Sequence, residues 1–79
     1  MPHYFFDLHN HVSAVDNEGA DHADHNAAIA HATLSARRIM ADDIVRLGEL
    51  DRRHWIEIRH GTDDWRYRVL FGDCIRVLP

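Results

Sequence analysis

Polar and apolar residues alternate near both ends of the chain and follow a longer period between them. Residues His3 to His9 set Tyr4, Phe6 and Leu8 against His3, Phe5, Asp7 and His9, the period of two that marks a strand with one core-facing side. Asn10 favours a turn, and Val12 to Val15 return as a second short strand, completing an antiparallel hairpin. Asp16-Asn17-Glu18-Gly19 then reads as a turn in which Gly19 takes positive φ at little cost. From Asp24 the spacing becomes helical, with Asp24 as N-cap and Gly48 ending the helix after Leu47. At about 100° per residue, Ala28, Ile29, Ala32, Ala36, Ile39, Met40 and Leu47 share one side, the predicted core stripe. Its first half is small, which allows the helix to approach a sheet closely.

A second, thinner stripe runs along the opposite side through Ala27, Ala30, Leu34, Ala41 and Val45. Scattered exposed alanines with two isolated aliphatics are one reading of it. A contact with a second copy of the chain or with another protein is the other, with Leu34, Ala41 and Val45 as the candidate interaction residues. Beside them, Arg38, Asp42 and Arg46 stand four residues apart, a solvated ion-pair ladder worth about 0.3 kcal/mol per pair.

Alternation resumes from His54 to His60, where Ile56 and Ile58 oppose Trp55, Glu57 and Arg59 in a third strand. Gly61-Thr62-Asp63-Asp64 supplies a turn, after which Trp65, Tyr67, Val69 and Phe71 alternate with Arg66, Arg68 and Leu70 in a fourth. Cys74 to Leu78 reads as a fifth extended piece ending at Pro79. The expectation is a single small α+β domain over residues 1–79: an antiparallel sheet of four strands, or five with the last piece, carrying one long helix on one face in the order β-β-α-β-β.

Size and charge narrow the functions open to such a domain. Seventy-nine residues support one modest core, and a deep enclosed active site is not expected. A net charge of −4 and a pI of about 6.0 argue against a broad electrostatic grip on nucleic acid. One local feature runs the other way: Arg66 and Arg68 share a strand face, with Arg59 and Trp55 beside them, although Glu57 lies on that face too. All nine basic side chains are arginine. Cys74 is the only cysteine, which excludes an intramolecular disulfide and a thiolate-rich zinc site and fits a reducing compartment. No window approaches the roughly 18 apolar residues of a membrane span, and no leader pattern opens the chain. The expectation is a soluble, cytoplasmic protein.

Eight histidines are the compositional outlier. His9 and His11 share a face if the first strand runs through both, and His22 and His25, flanked by Asp21 and Asp24, stand at the start of the helix. Imidazole and carboxylate ligands suit zinc, nickel or copper, so these four are the candidate ligands for a divalent transition metal. Their spacing matches no established signature, and solvated polar histidines are the alternative. In that case protonation near pH 6 erases much of the negative charge and makes association pH-dependent. Ser13, Ser35 and Cys74 lie in no nucleophile motif, so no catalytic or cofactor-binding residue is assigned and an enzyme is not expected.

Met1-Pro2-His3-Tyr4-Phe5-Phe6-Asp7, the turn Asp16-x-Glu18-Gly19, Asp24, and the alanine-spaced Ala27-Ala28-x-Ala30-x-Ala32 with Ala36-Arg37 resemble a known group. It is a family of short bacterial proteins classed as a domain of unknown function, which typically open Met-Pro-Arg-Tyr-Phe-Phe. The chain departs from that pattern at His3 and at Asn10-His11, where Asp-Gly often makes the hairpin turn. The resemblance implies a scaffold and brings no activity, cofactor or catalytic residue. The functional expectation is a non-enzymatic module acting through protein contacts, as a homodimer or as an accessory to another protein. A histidine-based metal-binding or metal-sensing protein is the alternative.

Overall fold

A computed structural model describes residues 1–79. Its elements are β1 (His3–His9), β2 (Ser13–Ala14), β3 (Ala20–Asp21), α1 (His25–Leu47), β4 (Trp55–His60) and β5 (Arg66–Leu70), followed by a 3-10 turn over Phe71–Cys74. All strand pairs are antiparallel. The sheet runs β2-β1-β4-β5, with β3 sharing the outer edge of β1 with β2. The fold is α+β as expected, with the order β-β-β-α-β-β.

The extra strand follows directly on the predicted turn. His3 and Tyr4 pair with Asp21 and Ala20, and Leu8 and His9 pair with Ala14 and Ser13. The gap between these two pieces is closed by a side chain: Asp16 accepts from the Phe6 N–H at 3.0 Å through Oδ2, and from the Glu18 and Gly19 N–H groups at 3.1 and 3.0 Å through Oδ1. Gly19 follows at φ 68°, and only glycine fits there because a Cβ would stand 2.5 Å from the Tyr4 carbonyl oxygen. The Asp-x-Glu-Gly signature is thus a plug in an interrupted edge strand.

The helix begins and ends where its capping chemistry predicts. The Asp24 side chain accepts from the Ala27 N–H at 2.8 Å, and the Gly48 N–H, at φ 68°, donates to the Ile44 carbonyl. Ala28, Ala32 and Ala36 are fully buried, so three turns of backbone lie directly on the sheet, and Met40 closes the row. The sheet supplies the bulk opposite them, with Tyr4, Ile56, Ile58, Val69 and Phe71 buried, and Phe6, Leu8, Ile29 and Ile39 packed around the margin.

Leu47 departs from its predicted place in the core stripe and is 52% exposed. Period fixes a direction around the helix axis but not the length of the surface beneath it. Twenty-three residues span about 35 Å at 1.5 Å each, longer than the sheet in either direction: less than 20 Å across four strands at about 4.8 Å spacing, and about 24 Å along the seven residues of β1. The last turns of α1 therefore overhang the sheet.

The extended piece read over Cys74 to Leu78 is also corrected. The chain turns through Phe71–Cys74 and leaves residues 75–79 unpaired, so the fifth strand of the sheet is β3. Three bonds hold the turn: the Gly72 N–H donates to the Arg52 carbonyl at 3.0 Å, Arg37 Nε to the Cys74 carbonyl at 2.7 Å, and the Cys74 thiol to the Leu70 carbonyl at 3.3 Å.

Candidate functional site

The outer stripe of α1 faces solvent along its length. Leu34 is 44% and Val45 84% exposed, with Ala30 and Ala41 also exposed between and beside them. On the overhang, Ile44 and Leu47 add half-exposed aliphatic surface. The charges there pair with one another rather than covering it: Arg46 Nε donates to Asp42 at 2.7 Å and its Nη2 to Asp43 at 3.3 Å. Leu34, Ala41 and Val45 thus lie together on one accessible line.

The four histidines singled out as ligands do not come together. β1 ends at His9, so His11 leaves the strand, and its ring meets His54 with centroids 4.8 Å apart. His9 stacks on Trp55 at 4.8 Å on the helix-free side of the sheet. His22 packs against His31 at 4.7 Å, and both rings touch Phe6. His25 lies flat on Trp65 at 3.9 Å, with its Nδ1 2.7 Å from the Tyr4 hydroxyl. No three histidine, cysteine, aspartate or glutamate side chains are arranged to hold a metal ion. Period and proximity in sequence grouped these residues, whereas the rings are distributed by packing against aromatic neighbours.

A polar network on the helix-free face escaped the sequence reading. Arg59 on β4 donates from Nε to Asp7 Oδ2 at 2.6 Å and from Nη2 to Asp7 Oδ1 and the Asp16 carbonyl, each at 3.1 Å, and the Asp16 N–H donates to Asp7 Oδ1 at 2.9 Å. Burial pushes the Asp7 carboxyl up, but Arg59 and the Asp16 N–H outweigh it and hold it below the usual range. Burial likewise works against Asp16, whose carboxyl is held low by the Gly19, Phe6 and Glu18 N–H groups. Both carboxylates are spoken for, which leaves neither suited to proton transfer near neutrality. The signal was parity: Asp7 and Arg59 both point to the face opposite the helix.

On the same face, Arg59 lies opposite Arg66, and Glu57 opposite Arg68. The Arg59 guanidinium covers Phe5 at 4.8 Å from the ring centroid, and Arg68 covers Trp55 at 4.3 Å. On each of these rings one face is covered by the protein's own cation. Glu57 serves two arginines at once, 3.3 Å from Arg66 and 4.0 Å from Arg68.

Beneath the overhang of α1 lies an open groove of about 750 Å³, its walls including His11, Asp43, Asp51, His54 and Asp73. His54 is buried, with Nε2 3.4 Å from Asp51 and Nδ1 unpartnered. Arg53 holds the Asp51 carboxyl far below its usual range. One residue beyond Asp73, burial pushes the Cys74 thiol up, so its nucleophilic form is disfavoured.

A family model described as a domain of unknown function (DUF6894) matches residues 3–72, from the start of β1 into the 3-10 turn. No curated protein and no solved structure matches the chain. No helix is long and apolar enough to cross a membrane.

Proposed function

Because the chain belongs to the family of the domain of unknown function DUF6894, which brings a scaffold and no activity, we propose from its surface that it is a non-enzymatic protein-interaction module that self-associates through α1. The overhanging, solvent-facing stripe supports this reading: Val45 at 84% exposure, continued by Leu34 and Ala41, on a helix whose opposite side alone satisfies the core. An antiparallel pairing of two such helices about a two-fold axis sets Leu34 against Val45 of the second copy at both ends, with the small Ala41 near the crossing and Arg38 beside Asp42 of the second copy. Burying these aliphatics contributes about 1.5–3 kcal/mol for each side chain fully covered.

Sedimentation equilibrium at tens of micromolar tests the proposal. The native chain should sediment as a dimer and the Leu34→Glu/Val45→Glu variant as a monomer, with its circular dichroism unchanged because both positions face water. A monomeric native chain, or a variant that stays dimeric, would overturn it.

A further inference from the structure

The two edges of the sheet are finished differently. Along the outer edge of β1, β2, the Asp16 carboxylate and β3 successively take up the backbone. Along β5 nothing does so. The pairs at its two ends are hydrogen-bonded, His60 N–H to the Trp65 carbonyl and Phe71 N–H to the His54 carbonyl. Because antiparallel pairs alternate between bonded and non-bonded, Val69 and Tyr67 bond inward to β4, and the backbone groups of Arg66, Arg68 and Leu70 point outward. The Leu70 carbonyl is engaged by Cys74, which leaves its N–H and both groups of Arg66 and Arg68 facing an empty strand position.

Both sides of that position carry a chemical preference. On the helix-free side, the Arg66 and Arg68 side chains are 59% and 55% exposed and share one carboxylate, so the edge bears an excess positive charge on a chain that is negative overall. On the helix side, a hollow of about 130 Å³ lies beside β5 between Ile29 and Thr33 of α1 and Tyr67 and Val69. It has room for one aliphatic side chain. Asp73 stands at the same hollow and disfavours a carboxylate there, so acidic residues of an occupant belong at the Arg66 and Arg68 positions.

We infer that β5 is a docking edge for an extended acidic segment of another protein, added as a sixth, antiparallel or parallel, strand with carboxylates alternating with aliphatic residues. The main chain of the segment bonds Arg66, Arg68 and Leu70, its carboxylates meet the two guanidiniums, and one aliphatic side chain enters the hollow. A second copy of β5 does not fit: the two-fold antiparallel register that uses all three outward residues sets Arg68 against Arg68, and like charges directly opposite are destabilising. This surface is separate from the outer stripe of α1 and does not depend on it.

Fluorescence anisotropy with a labelled peptide of alternating glutamate and valine tests the inference, on both the native chain and the Leu34→Glu/Val45→Glu variant. Saturable binding to both is expected. Arg66→Glu/Arg68→Glu, with its circular dichroism unchanged, should weaken it about tenfold or more while creating saturable affinity for the lysine-for-glutamate peptide. Methylating alternate peptide amides should abolish binding, and bound peptide should slow amide exchange at Arg66, Arg68 and Leu70. Equal binding of the methylated or lysine peptide to the native chain, or no saturable binding up to 1 mM, would overturn the assignment.

Discussion

At Asp16, one side chain replaces ladder bonds that a continuous edge strand would have made, and Gly19 lets the backbone return close enough to finish the edge with β3. Two glycines with the same φ of 68° therefore differ in consequence. Gly19→Ala places a Cβ 2.5 Å from the Tyr4 oxygen and 2.6 Å from His3 Nε2, whereas nothing lies within 4 Å of one added at Gly48. Urea denaturation should show a loss of about 2–3 kcal/mol for Gly19→Ala and about 1 kcal/mol for Gly48→Ala. The glycine and its positive φ were legible in the sequence, because turn chemistry is local. The role of Asp16 was not, since its partner Phe6 lies on another element and only the fold brings them together. Asp7 and Arg59 were hidden for the same reason: fifty-two residues separate a pair that a single register joins.

At the scale of the element, α1 was the most readable part of the chain. Asp24 and Gly48 cap it through bonds to residues three and four positions away, and such signals survive without knowledge of the fold. What its pattern concealed was how far the sheet reaches below it, hence the exposure of Leu47. The buried alanines admit a sharp check. Ala32→Leu inserts a branched side chain where the helix backbone rests on the sheet and should cost about 2–3 kcal/mol in a chemical melt. Ala30→Leu, on the exposed side two residues away, should stay within about 0.5 kcal/mol of the native chain. The reverse order would mean the helix sits on its other face. β3 and the 3-10 turn were unreadable for a different reason: two residues of strand and four of helix have no period, and both are imposed by bonds to β1, Arg37 and Arg52.

Over the whole molecule, paired aspartates outnumber any other perturbed group. Burial opposes ionisation at Asp7 and Asp16 yet is outweighed, His3 depresses Asp21, Arg53 depresses Asp51, and the Trp65 N–H depresses Asp63. A carboxylate with a folded pKa below its unfolded one stabilises the fold above the unfolded value, about 3.9, and that contribution is lost as pH falls through the folded value. Thermal melts should therefore show a midpoint dropping steeply below about pH 4, and Asp7→Asn should flatten that decline while lowering the midpoint at neutral pH. His3 acts in the opposite sense: Asp21 and the Glu18 carbonyl raise its pKa, so its contribution fades as pH rises through that raised value. An acid limb as steep in Asp7→Asn as in the native chain would remove Asp7 from the account.

The central ladder of the sheet joins β1 to β4, residues Tyr4 to His9 with Trp55 to His60. During synthesis at about 5–20 residues per second, the strand bearing Tyr4, Phe5 and Phe6 waits on the order of 3–10 s before its main partner has been made. β2 and β3 can cover only its outer edge in that interval, and α1 has no finished floor to lie on. A nascent chain stalled before His60 thus presents three consecutive aromatics to solvent or to whatever holdase meets it.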